Sequence, residues 1–177
     1  MILGIDTSNS PLAIALVKDD TVLIEETQNL KINHSLTAMP AIEELMKKAK
    51  IAPGDLTQIV VAEGPGSYTG VRIGLTIAKT LAWSLKIPLV SVSSLKVLAA
   101  NGQDFDGLVG PVMDARRGTV FTGLYEGQHL KTVISDQHSD FKEFLEQVRM
   151  QERPVLFTGV DLEIHRSLIE EMLGELA

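Results

Sequence analysis

The chain opens on an apolar run, Ile2 to Ile5, that stops at the turn-forming cluster Asp6-Thr7-Ser8-Asn9. Leu12 to Val17 and Val22 to Glu26 follow as two further strand-like runs separated by Asp19-Asp20, which predicts a three-strand meander. From Ser35 the period changes: Leu36, Met39, Ile42, Leu45, Met46 and Ala49 recur at helical spacing and end before Pro53-Gly54. Pro40 falls inside this stretch, where it either belongs to an early turn or kinks the axis, because it cannot donate the backbone hydrogen bond. Ile59 to Ala62 reads as a short buried strand, Gly70 to Leu85 as a helix, Pro88 to Val92 as a strand, and Ser94 as the cap of a helix through Ala100.

After the polar, glycine-containing stretch 101–107 the pattern begins again. Leu108 to Met113, Thr119 to Tyr125 and Leu130 to Ser135 read as strands, Phe141 to Val148 as a helix, Val155 to Thr158 as a strand and Leu162 to Leu173 as a helix. Two successive copies of a meander followed by alternating helices and strands predict a duplicated βββαβα unit, an α/β fold with helices packed on mixed sheets. The expected division is 1–103 and 104–177, with the second unit incomplete because its pattern stops one helix after its fourth strand.

Composition narrows the class. The 177 residues are 45% apolar and 22% charged, the balance of an ordinary globular chain of one-domain size. Cysteine is absent, which removes disulfides and thiolate metal sites and suits a reducing compartment. MILGIDTSN has no basic segment before its apolar run, and no stretch reaches the roughly 20 apolar residues that span a bilayer, so a cytoplasmic protein without membrane attachment is expected. Sixteen basic residues against 23 acidic give a net charge of -7, which disfavours direct high-affinity binding of a phosphate backbone by this chain alone.

Candidate chemistry sits at few places. Asp6, Thr7 and Ser8 end the first strand, where a carboxylate, hydroxyls and amides can approach a phosphate or its magnesium, or can simply build the hairpin turn. GPGSYTGVRIG joins a strand to a helix, and its glycines gather amides and hydroxyls at the helix N-terminus. It can hold an anion, or it is a turn capped by Ser67 or Thr69; it lacks the GK[ST] of a P-loop and the GxGxxG of a dinucleotide site. The helix beyond it places Gly70, Gly74, Ala78 and Ala82 four residues apart, with Val71, Ile73, Leu75, Ile77, Leu81 and Leu85 around the rest. Burial in the protein's own core explains one face of such a helix; apolar character all round favours a partner surface on another. The histidines, His34, His129, His138 and His165, have no second histidine at helical ligand spacing, and the serines lack a GxSxG elbow. Arg116-Arg117 reads as an exposed basic pair in a turn.

The opening ILGIDTSNSPLAIAL, the helix from His34-Ser35 through Pro40, the loop GPGSYTGVRIG and the later DARRGTVFTGLY together resemble the TsaB family, also called YeaZ. The resemblance runs in order over most of the chain and implies the actin/sugar-kinase-like fold (ASKHA, ribonuclease H-like). It implies a non-catalytic partner of the TsaD-type subunit that transfers a threonylcarbamoyl group to the adenosine beside the anticodon, N6-threonylcarbamoyladenosine at transfer RNA position 37. A TsaE-like ATPase is expected to dock on the pair, a homodimer to form when the chain is alone, and transfer RNA to be met only indirectly. No cofactor of its own is implied; ATP with magnesium and threonylcarbamoyl-adenylate belong at the partner subunit. The helices from Ser35 and from Gly70 are expected to pair with the partner, with His34, Leu36, Met39, Gly70, Val71, Gly74, Leu75, Ala78 and Ala82 as candidate interface residues and Asp6, Thr7 and Ser8 as a residual phosphate turn. Ala38 stands where TsaD-like proteins carry a second metal-binding histidine, and Thr158-Gly159-Val160-Asp161 is the nearest candidate for an adenosine loop. The competing reading is an autonomous ATP-dependent small-molecule kinase of the same fold with Asp114 as general base; a peptidase is a third, without an assignable nucleophile or metal set.

Overall fold

The computed structural model describes residues 1–29 and 34–177. The chain forms two units, Met1–Ser94 and Leu95–Ala177. In the first, β1 (Ile2–Asp6), β2 (Leu12–Lys18) and β3 (Thr21–Gln28) form the antiparallel meander, α1 (His34–Ala49) follows, and β4 (Gln58–Ala62), α2 (Tyr68–Leu85) and β5 (Leu89–Val92) complete a five-stranded sheet of order β3-β2-β1-β4-β5. β4 and β5 run parallel to β1 and to each other, which the helical connections α1, before β4, and α2, between β4 and β5, make possible. Alternate residues of β1 and β2 are buried, and Leu3, Ile5, Leu12, Ile14 and Leu16 share a core with Ala38, Ile42 and Leu45 of α1 and Ala78 and Ala82 of α2.

Pro40 lies inside α1, which continues through it. The carbonyl that loses its intrahelical donor belongs to Leu36, which is 71% exposed, so water can satisfy it. The burial of α1 follows Ala38, Ala41, Ile42, Leu45 and Met46, while Leu36 and Met39 point outward.

The second unit holds α3 (Ser94–Ala99, begun at the last residue of the first), β6 (Leu108–Asp114), β7 (Thr119–Glu126), β8 (Lys131–Asp140), α4 (Phe141–Arg149), β9 (Val155–Thr158) and α5 (Leu162–Leu173), with sheet order β8-β7-β6-β9. β6 is buried along nearly its whole length: Leu108 and Val112 meet Phe141, Phe144, Leu145 and Val148 of α4, while Val109 and Met113 meet Leu95 and Ala99 of α3. That second contact is why α3, expected in the first unit, belongs with the second. β8 is longer than the expected Leu130–Ser135, because β7 pairs with it along its length from Glu126↔Lys131 to Thr119↔Asp140. Three antiparallel strands joined through a helix to parallel strands, twice over, is the α/β architecture of the actin and sugar-kinase class. Among the described residues no helix is long and apolar enough to cross a membrane.

Asp140 is both the last residue of β8 and the N-cap of α4, accepting from the amides of Lys142 at 2.9 Å and Glu143 at 3.3 Å. Asp140→Ala is expected to cost about 1 kcal/mol, read as a lower urea midpoint at unchanged slope.

Candidate functional site

The turn after β1 and the loop before α2 form one interlocked structure. Asp6 accepts the Ser8 amide at 2.8 Å, and the Ser8 carbonyl accepts the Ser67 amide at 2.7 Å. The Thr7 hydroxyl, buried at 1% exposure, donates to the Gly70 carbonyl at 2.7 Å. Ser67 is the N-cap of α2, its hydroxyl accepting from the Gly70 amide. The glycines are there because backbones touch: a Cβ on Gly66, whose φ is +156°, would lie 2.2 Å from the Ser8 carbonyl oxygen, and one on Gly70 2.1 Å from that of Thr7. On Gly74 it would lie 2.4 Å from the Thr7 hydroxyl.

These contacts give the residues of the expected phosphate turn a structural role. Thr7 and Ser8 are buried, the Ser8 hydroxyl without a hydrogen-bond partner among the described residues, and the Ser67 and Gly70 amides are used within the loop. Of the three, Asp6 alone keeps partial exposure, with one oxygen already closing its own turn.

The contacts also correct half of the expected interface. Gly70, Gly74, Ala78 and Ala82 are the buried residues of α2, facing Thr7 and the sheet, so a partner helix cannot reach them; Val71 and Leu75 are half-buried. His34 is half-buried, its Nε2 3.0 Å from the Asn9 carbonyl oxygen, and Ala38 is fully enclosed. Leu36 and Met39, at 71% and 44% exposure, do lie on the surface. Beside them the seam between α1 and α2 opens into a groove of about 420 Å³ lined by Ser35, Met39, Thr69, Arg72, Ile73, Thr76 and Ile77. A second hollow of about 370 Å³, which Met39 also lines, continues between Met46 of α1 and Leu81 and Leu85 of α2. Tyr68 and Trp83 stand out from α2 at 76% and 84% exposure. Tyr68, Arg72 and Trp83 are not among the expected interface residues, and their spacing from the inward small residues at 3.6 residues per turn is the sequence signal for their outward position.

α1 is tied to the sheet by Lys48, which lies 3.2 Å from Glu26 and 3.0 Å from Glu44. Hydrogen bonds from Gln28 and then Lys48 hold the Glu26 carboxyl below the ordinary carboxylate value.

In the second unit Asp114 closes the turn after β6. Its Oδ2 accepts the Arg116 amide at 3.2 Å, its Oδ1 lies 3.3 Å from Nε2 of buried His165, and its own amide donates to Asp161. Arg116, Arg117 and Gly118 all have positive φ, so this carboxylate braces a strained turn rather than standing free as a base. Gly159 is a close-approach glycine, since a Cβ there would lie 2.2 Å from the Val112 carbonyl oxygen.

Residues 21–177 match the family model described as TsaD, tRNA N6-adenosine threonylcarbamoyltransferase. The chain is 55% identical, over 98% of its length and 76% of the relative's, to the tRNA threonylcarbamoyladenosine biosynthesis protein TsaB of Bacillus subtilis. To the protein of the same description from Escherichia coli it is 29% identical, over 77% of this chain and 63% of that one. Among solved structures, YeaZ from Pseudomonas aeruginosa superposes with a TM-score of 0.68 at 26% identity, covering 78% of this chain and 65% of that one. The chain therefore spans about three quarters of the Bacillus protein and under two thirds of the other two.

Because Gly70 and Ala78 build the domain, their substitution should act on folding. Gly70→Ala is expected to cost about 1–3 kcal/mol through the clash with the Thr7 carbonyl, and Ala78→Arg to prevent cooperative folding. Thermal melts of the isolated chain check this; unchanged midpoints would mean that the stripe faces outward.

Proposed function

The chain belongs to the TsaB family, and from that membership we propose that it is the non-catalytic partner of a TsaD-type threonylcarbamoyltransferase in the formation of N6-threonylcarbamoyladenosine at transfer RNA position 37. The observation that carries this reading is the α1–α2 face, where Leu36, Met39, Tyr68 and Trp83 are exposed beside a groove that contains Met39, Ile73 and Ile77. Large apolar side chains grouped along a two-helix seam suit a helical partner, whose own apolar face enters the groove. The polar groups at the strand ends support the same division of labour. Asp6, Thr7 and Asp114 are engaged in closing turns and in fixing α2, so ATP with magnesium and threonylcarbamoyl-adenylate are assigned to the partner subunit. In the same reading a TsaE-like ATPase docks on the assembled pair, transfer RNA is met through the partner, and the chain works in the cytoplasm. A homodimer through the α1–α2 face forms when the partner is absent, since the same apolar surface then has only itself to cover it.

The test is reconstitution. Threonine, bicarbonate, ATP, transfer RNA and a purified threonylcarbamoyl-adenylate synthase are supplied with this chain, with a TsaD-type subunit, or with both. Modified nucleoside is expected only where the TsaD-type subunit is present, and faster when this chain is added. Equal rates with this chain as the only other polypeptide would overturn the proposal.

A further inference from the structure

The α1–α2 groove sets the apolar side chains of Met39, Ile73 and Ile77 among the hydroxyls of Ser35, Thr69 and Thr76, and its charges are unevenly placed. In the hollow toward the C-terminal end of α2, Glu43 and Lys47 neutralise each other at 2.6 Å. In the groove at the N-terminal end, Arg72 is the lining residue that carries charge. Among the described residues no carboxylate pairs with it, and it is not loose. Its Nη1 donates to the Tyr68 hydroxyl at 3.0 Å, and its guanidinium carbon lies 5.0 Å from the centre of the Tyr68 ring. Tyr68 itself is 76% exposed and takes little part in the core. An exposed tyrosine one helical turn before an arginine, clasping it by ring and hydroxyl, fixes the direction of a planar donor fork while leaving other N–H groups of that fork open.

We propose that the Tyr68–Arg72 clasp receives a carboxylate carried on an amphipathic helix of the partner subunit, whose apolar face lies along Met39, Ile73 and Ile77. This rests on the partner-subunit reading and adds to it the chemistry by which the partner is chosen. Charge complementarity supplies the argument. α2 bears Arg72 and Lys79 and no acidic residue, in a chain whose net charge is -7, so both of its charges are cationic, and of the two Arg72 lines the groove. An apolar groove alone accepts many helices; a preorganised guanidinium at one end fixes register and rejects a helix that brings a cation there. The seam from Thr69 to Leu85 is long enough for a helix of about four turns, at roughly 1.5 Å per residue. A single held cation on an apolar floor does not track a phosphate backbone, which needs a run of cations, so a protein carboxylate is the better fit.

Binding of the purified chain to the purified TsaD-type subunit of the same organism, measured calorimetrically at several salt concentrations, tests this. Arg72→Glu is expected to weaken binding by about tenfold or more and to flatten its salt dependence, with Tyr68→Phe intermediate. Replacing the facing acid of the partner helix by lysine should weaken binding to the unaltered chain and restore it to Arg72→Glu. Arg72 and Met39 are both exposed, so Arg72→Glu and Met39→Asp should leave the fold intact, as circular dichroism will check. If Met39→Asp abolishes binding while Arg72→Glu binds as well as the unaltered chain, the clasp has no such role although the groove reading stands. If both variants bind normally, the groove reading fails and takes the clasp with it. If Arg72→Glu changes only self-association, or only retention of transfer RNA by the chain alone, the carboxylate of a different subunit is the wrong ligand and the proposal is overturned.

Discussion

Everything that α2 presents depends on how closely its first turns approach β1, and that distance is set by Thr7. The residue is enclosed between the helix and the strand, donates its hydroxyl to the Gly70 carbonyl, and has its own carbonyl and hydroxyl against the faces of Gly70 and Gly74 where side chains would otherwise stand. A buried hydroxyl without an acceptor is costly, so the hydrogen bond and the two glycines are mutually dependent: the bond forms only if the helix comes near, and the helix comes near only without Cβ atoms. Ala78 and Ala82 continue the same close packing onto the sheet. Helix position then fixes the seam with α1, hence the groove and the direction in which Arg72 leaves the helix.

The order of elements was legible in the sequence because each change of period, from alternation to helical spacing and back, is bounded by turn residues. Asp6 to Asn9, Pro53-Gly54 and Gly64 to Gly66 mark boundaries that the structure keeps. What was not legible is the outward or inward sense of an all-apolar helix. A stripe of Gly70, Gly74, Ala78 and Ala82 admits any close neighbour, whether a partner helix or the protein's own strand, and periodicity carries no information about which. Met39 and Leu36 fitted the apolar period of α1 and were nevertheless left outside, because Ala38, Ala41, Ile42 and Leu45 already fill the space above the sheet. The length of β8 escaped for a different reason: Asp136 to Asp140 have no apolar alternation, and that strand is specified by its ladder with β7 rather than by burial of one face.

The duplication expected from element order has a physical counterpart in atomic detail. The first strand of each unit ends in an aspartate that accepts the amide two residues on, Asp6 from Ser8 and Asp114 from Arg116. In each unit a glycine after the fourth strand lies against a carbonyl near the end of the first, Gly66 against Ser8 and Gly159 against Val112, with the same 2.2 Å that a Cβ would leave. Parallel strands joined by a helical crossover bring those ends together, so the crossover by itself accounts for the glycine. This is why a loop rich in glycine, serine and threonine at a helix N-terminus reads equally well as an anion cradle or as a packing device until its amides are traced.

Tracing them changes where function is to be sought. In the first unit the Ser67 and Gly70 amides, the Thr7 hydroxyl and one oxygen of Asp6 are all engaged within the turn and loop; in the second, one oxygen of Asp114 closes a strained turn and the other lies 3.3 Å from Nε2 of His165. Each of these groups therefore has a structural role of its own. The surface left with unspent potential is on the outer side of the same helix: apolar area without a cover, exposed Trp83, and a guanidinium held in place by Tyr68 with no carboxylate among the described residues to receive it. The glycines and alanines of its inner face seat α2 closely on the sheet, and on the proposed reading that seating bears on selectivity, since a preorganised cation discriminates between partners only when the helix beneath it does not move to accommodate the wrong one.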